Sequence, residues 1–150
     1  MSTSPKMKLL IVGIGNTLRS DDGVGAYVCE KMEKLNLPGT TTIIVQQLQV
    51  EMIEEMSHYD HVIIVDASAT NDTIQFEPLQ ENLQQTVASS HHVNASLVQI
   101  LSQKLYNKTL SLYLCAIPGS NFDTGDTLSI DTEKTAKEAI VLIKTWINKL

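Results

Sequence analysis

The sequence predicts an α/β fold: a single-domain three-layer sandwich whose twisted sheet has about five mostly parallel strands, with helices on both faces. Three observations predict it. Apolar, β-branched runs alternate with segments of helical periodicity, the pattern of strands buried from two sides. No internal repeat or long linker interrupts the 150 residues, a length suited to one domain. The composition, 43% hydrophobic and 19% charged, is that of an ordinary globular chain. Crossovers between parallel strands are expected to be right-handed.

The elements follow in order. Residues 1–7 read as a polar tail. Lys8 to Val12 is almost continuously apolar and predicts the first strand. A helix follows, with Val24, Tyr27, Val28, Met32 and Leu35 on one face, and stops at Leu37-Pro38-Gly39. Thr41 to Val45 is β-branched and predicts the second strand. Val50, Ile53 and Met56 mark a short second helix. His61 to Val65 forms the third strand, ending on Asp66-Ala67-Ser68. Thr73 to Glu77 alternates and precedes Pro78, which suits an edge strand. Leu79 to Ser90 is polar and has no clear pattern. Asn94 is placed to cap a third helix with Leu97, Val98, Leu101 and Leu105 inward. Leu110 to Ile117 predicts the fifth strand, closed by Pro118-Gly119. A loop from Ser120 to Ile130 leads to a last helix, with Ala136, Ala139, Ile140, Ile143, Ile147 and Leu150 on one side.

Charge and composition exclude some functions. A net charge of -6 with no basic run argues against nonspecific nucleic-acid binding. No apolar segment approaches the roughly 20 residues of a membrane helix, and the N-terminus lacks a signal peptide's apolar stretch. Cys29 and Cys115 have no metal-binding spacing and read as buried free thiols in a reducing cytoplasm. Nothing in the sequence sets an oligomeric state; a monomer is expected.

The chemistry concentrates at strand ends. Gly13 to Gly25 reads GIGNTLRSDDGVG: a glycine turn after a strand, then two adjacent carboxylates at a helix start. In open α/β sheets ligands bind at the carboxyl ends of strands. Asp21 and Asp22, Asp66, and the doublet His91-His92 all fall there. Two carboxylates and an imidazole suit a hard-to-borderline metal ion with coordination positions left open. The plainer reading makes the first two aspartates helix-start residues and the histidines solvated loop residues. A carboxylate closing an apolar strand, as Asp66 does, is partly buried and needs a partner.

Other templates fit less well. The third glycine of a dinucleotide fingerprint is replaced by Leu18, and no acid ends the second strand. Phosphate loops, zinc-protease helices and nucleophile elbows are absent from the sequence. Phe122 and Tyr113 read as packing residues.

GIGNTLRSDDGVG resembles the opening signature of the hydrogenase maturation endopeptidases, Gly-x-Gly-Asn-x-Leu, two spacers, then Asp-Asp/Glu-x-x-Gly. HVIIVDA is similar to that family's strand ending in Asp-Ala. SSHHVNASLVQIL is similar to its Ser/Thr-x-His element, and AIPGSNFDTGDTLS to its closing loop. The resemblance spans nearly the whole chain in order. It implies an endopeptidase that removes a short C-terminal extension from the precursor of a nickel-iron hydrogenase large subunit, after nickel insertion. It also implies that nickel is supplied by that substrate, with another divalent cation able to occupy the site in isolation. The implied metal contacts are Asp22, Asp66 and His91, with His92 as the alternate ligand. Gly13, Gly15, Asn16 and Asp21 would shape the loop, Asp21 from a helix-start or supporting position. Asp22 stands where some members carry Glu.

Catalysis through this set has two forms. The metal polarises the scissile carbonyl, or it only positions the bond while Asp22 or Asp66 acts as general base. Where members of the family carry a Gly-rich segment after the second strand, this chain has Gln46-Gln47-Leu48-Gln49. That difference leaves the precursor's identity open to another hydrogenase class or another nickel protein. A non-catalytic assembly chaperone that binds the metal-loaded precursor is the alternative function, and a nucleotide-binding α/β protein a weaker one.

Overall fold

Parallel strands at the centre of a sheet are buried on both faces, and the central strands of this chain are built for it. The computed structural model describes residues 7–79 and 90–150, with residues 90–94 described by backbone alone. The elements are β1 (Leu9–Ile14), α1 (Val24–Lys34), β2 (Thr40–Val45), α2 (Met52–Met56), β3 (His61–Ser68), β4 (Gln75–Pro78), α3 (Ser90–Tyr106), β5 (Leu112–Pro118) and α4 (Ile130–Asn148). A single 3-10 turn, Ser20–Gly23, precedes α1. The strand order is β2-β1-β3-β5-β4. Every pairing is parallel except β4 with β5, which is antiparallel and closes one edge.

Two cores result from strand alternation. Leu9 and Ile11 face α1 and α4, packing with Val24, Val28, Met32, Ala139 and Ile143. Leu10, Val12 and Ile14 face α2 and α3, packing with Ile53, Met56, Ala95 and Val98. Helices on both faces make the three-layer sandwich the sequence predicts.

Differences from the expected elements have physical causes. β3 continues through Asp66 to Ser68, because Asp66 and Ala67 keep pairing with Ala116 and Ile117 of β5. α3 starts at Ser90, so His91, His92 and Asn94 lie in its opening turns and Asn94 does not cap it. Its inward face is also rotated from the expected one. Leu97 and Leu105 are exposed, whereas Ala95, Val98, Gln99 and Ser102 are buried. Buried polar groups are tolerated there because their bonds are made. Gln99 accepts from the Leu110 amide at 2.8 Å and donates to its carbonyl at 2.6 Å, and Ser102 Oγ donates to the Lys108 carbonyl at 2.8 Å. Leu35, Val50 and Leu150 are exposed rather than core. Residues 1–6 of the tail and residues 80–89 of the patternless stretch lie outside the described residues.

The same bonds orient α3. Gln99 holds the residues just before β5, so the C-terminal half of α3 lies at the amino edge of the sheet. Its first turn therefore points to the carboxyl edge, on the face shared with Ile14 and Ile64.

Cys29 and Cys115 are fully buried and free. Burial pushes both thiols up to about 12. Native protein at pH 8 should therefore resist iodoacetamide at both positions and react at both in 6 M guanidinium, as read by intact mass. Modification of either thiol in the native state would contradict this.

Candidate active site

β1 ends in a turn whose shape is set by Gly15 and Asn16. Gly15 has φ 141°, a region open in practice only to glycine, and a Cβ there would collide with the Asp22 carbonyl oxygen. Its amide donates to the Val45 carbonyl at 3.0 Å, tying the turn to the end of β2. Asn16 then folds the loop on itself. Its Oδ1 accepts the Leu18 amide at 2.9 Å, and its carbonyl accepts the Arg19 amide at 3.0 Å. This leaves the Asn16 amide facing Asp22, to whose Oδ2 it donates at 2.7 Å.

Asp22 is thus not a helix cap: no side-chain cap bond is made at the 3-10 turn or at α1. It is half-buried, one oxygen held by Asn16, and its Oδ1 accepts no hydrogen bond among the described residues. Gly25 allows this turn to press against the sheet, since a Cβ there would lie 2.7 Å from both the Ile14 nitrogen and the Val65 oxygen. Gly13, beneath it, packs against the Gly25 carbonyl and Cys29. Both glycines serve close approach.

Asp21 has a different task from the one its position suggests. It is fully buried and turns away from its own helix. Its Oδ2 accepts the amides of Ser120 and Asn121, both at 2.9 Å, and the hydroxyls of Ser129 and Thr132, both at 2.8 Å. Its Oδ1 accepts the Ser129 amide at 2.7 Å. Burial alone would raise its pKa, but the bonds from Ser129, Ser120, Asn121 and Thr132 outweigh burial and hold the carboxyl well below the usual range. Ser129 is the N-cap of α4, so this charge also lies at a helix N-terminus.

The closing loop is stitched to the same segment. Ser20, at φ 52°, donates through its amide to Gly125 and through Oγ to Asp123, each at 2.8 Å. Arg19 Nε donates to the Phe122 carbonyl at 3.2 Å. The Asp21 amide donates to Asn121 at 2.8 Å, and the Gly119 amide to Ser68 of β3 at 2.9 Å. Most of these partners lie in the AIPGSNFDTGDTLS segment, whose individual residues the sequence reading leaves without a role. Their signal was the run of Ser, Asn and Thr after an apolar strand, too common in loops to be specific.

Asp66 is 4% exposed and engaged in a polar interaction. Strand alternation puts it with Val62 and Ile64 on the α2/α3 face, the face on which α3 begins. The 3-10 turn carrying Asp22 packs against β3. The structure therefore brings the Asp22 turn, Asp66 and the first turn of α3 to one edge of the sheet. The side chains of His91 and His92 lie outside the description. Among the described residues, no three His, Cys, Asp or Glu residues form a metal cluster.

This architecture is that of known maturation endopeptidases. The hydrogenase maturating endopeptidase HybD from E. coli matches with a TM-score of 0.79 at 18% identity, over 95% of this chain and 93% of that one. HybD from Thermococcus kodakarensis, a NiFe hydrogenase maturation protease, matches with 0.73 at 20% identity, over 94% and 99%. No protein-family model matches the chain. A Methanocaldococcus jannaschii protein named as a hydrogenase maturation protease is 30% identical over 96% of this chain and 99% of its own length. The chain belongs to the hydrogenase maturation protease family.

Two substitutions test the scaffold. Gly15→Ala should displace the Asp22 turn and lower the free energy of unfolding by about 2–3 kcal/mol in urea titrations. Asp21→Asn should cost about 3 kcal/mol at pH 7, since several charge-assisted bonds are weakened together. An unfolded aspartate ionises near pH ~3.9. The Asp21 carboxyl ionises lower in the folded state, so its contribution is complete above that pH and is lost as pH falls toward the folded pKa. The gap between wild type and Asp21→Asn should narrow below about pH 4; a gap that widens there would contradict the assignment.

Proposed function

We propose that this protein is an endopeptidase that acts in the cytoplasm and removes the C-terminal extension of a nickel-loaded hydrogenase large-subunit precursor. The observation that carries the reading is the end-to-end relationship to a maturation protease, 30% identical over 96% of the chain. The geometry supports the roles of individual residues. Asp22 has one oxygen fixed by the Asn16 amide and the other without a hydrogen bond among the described residues, which suits a ligand or a base. Asp66 is a buried carboxylate on the same edge.

In this reading Asp22, Asp66 and His91 contact the nickel of the precursor, with His92 as the alternate ligand. The metal belongs to the substrate and marks it as ready for cleavage; another divalent cation could take its place in the isolated protein. A carboxylate of the pair takes a proton from water as the water oxygen attacks the scissile carbonyl. The same carboxyl then returns the proton to the leaving amine. Nickel orients the bond or polarises its carbonyl. Neither thiol takes part, because burial keeps both protonated.

Single replacement of Asp22, Asp66 or His91 by Ala should slow extension removal by at least about 100-fold, a usual loss for an acid–base group. Purified nickel-loaded precursor and a gel or mass readout are sufficient. The His92→Ala variant decides between the two histidines. Wild-type rates in both aspartate variants would end the hydrolytic assignment. Precursor binding without shortening by the wild type would instead indicate an assembly chaperone.

A further inference from the structure

The sheet has two edges, and they are treated differently. β4 is short, carries Pro78, and exposes Gln75 and Glu77, which are features that discourage further pairing. β2 is longer, TTTIIV, with no proline, glycine or charge, and Ile44 is 46% exposed. The Val45 carbonyl faces β1, where it accepts the Gly15 amide. Alternation then turns the amides and carbonyls of Thr42 and Ile44 outward, away from β1. Beside them a cavity of about 260 Å³ opens between β2 and the end of α1, with Met32 and Leu37 as apolar lining and Glu33 and Asn36 as polar lining.

This edge leads to the candidate active site. Val45 is bonded to Gly15, and Gly15 precedes the Asn16 amide that holds Asp22. Beyond β2, Gln46, Gln47 and Gln49 are exposed around the buried Leu48, presenting amide side chains at the carboxyl edge.

We propose that β2 is the docking strand for the precursor's C-terminal extension, which adds to the sheet as a sixth strand. The proposal rests on the function stated above for its substrate. Its direction follows from geometry. The scissile bond must lie at the carboxyl edge near Asp22, and the extension continues from it toward the amino edge. It therefore runs antiparallel to β2. A six-residue strand pairs with about six residues of extension. Main-chain bonds to Thr42 and Ile44 supply affinity that is tolerant of sequence. The cavity takes a side chain with an apolar stem and a donor or cationic tip, directed to Glu33 and Asn36. A second copy of this chain, pairing β2 with β2, is the competing occupant.

Hydrogen exchange tests the proposal independently of cleavage. Wild-type protein is mixed with nickel-loaded precursor at low temperature, and in parallel with the same precursor lacking its extension. Slowed exchange at the Thr42 and Ile44 amides with the first and not the second is the expected result. Equal exchange in both mixtures overturns the proposal. Slow exchange without precursor, together with a dimer in sedimentation, overturns it in favour of self-pairing.

Thr42→Pro supplies the kinetic test, because it removes an outward amide without touching a bond to β1. It should raise KM for the precursor about tenfold or more, with kcat within twofold of wild type. An unchanged KM in a variant that melts like wild type overturns the proposal. Ile44→Glu, which leaves the backbone intact, should raise KM in the same direction if Thr42→Pro does not fold. Protection of the two amides by a precursor that is never shortened would sustain the docking strand and remove the peptidase function.

Discussion

The buried carboxylate of Asp21 is the interaction on which the site's framework depends. It gathers the amides of Ser120, Asn121 and Ser129 and the hydroxyls of Ser129 and Thr132. Those donors belong to the closing loop and to the start of α4, far along the chain from the glycine turn. A charge without them would be costly at full burial; with them it becomes a fixed joint. Because Asp22 is the next residue, the joint also sets where the candidate catalytic carboxylate can lie. Paired acids at one strand end therefore divide the work, one buried as the joint of the scaffold and the other half-buried in the turn beside it.

Glycine does the complementary task of removing volume. Gly25 lets the segment after the 3-10 turn approach β1 and β3, and Gly15 supplies a backbone angle that places the Asn16 amide against Asp22. Asn16 closes the turn with its own side chain. The motif Gly-x-Gly-Asn followed by two acids is thus a compact set of geometric instructions: bend, close, orient. Within it, one carboxylate oxygen of Asp22 takes the Asn16 amide and the other accepts no hydrogen bond among the described residues.

The two edges of the sheet are built differently. Strands β1, β3 and β5 are covered on both faces, and β4 is blunted by its length and its proline. β2 keeps outward main-chain groups and an exposed isoleucine beside the turn that carries Asp22. Under the proposed function such an edge suits the substrate, because an extended peptide has few side-chain contacts to offer a concave pocket.

Much was legible before any coordinates. Continuous apolar runs identified the buried parallel strands, and helical periodicity identified α1 and α4, because strand and helix burial leave periods of about 2 and 3.6 in the sequence. The order of four short segments carried the resemblance to the family. What failed to show was any property set by distant partners. The inward face of α3 turned on Gln99 and Ser102, polar residues that are buried only because Leu110 and Lys108 complete their bonds. Asp21 looked like a helix-start residue, since the donors that claim it lie in another loop. By itself the sequence determined the layers, the family and the candidate acids, all of which follow from local pattern. Tertiary structure alone decided which acid holds the fold and which strand edge stays open, because both depend on neighbours that only folding brings together.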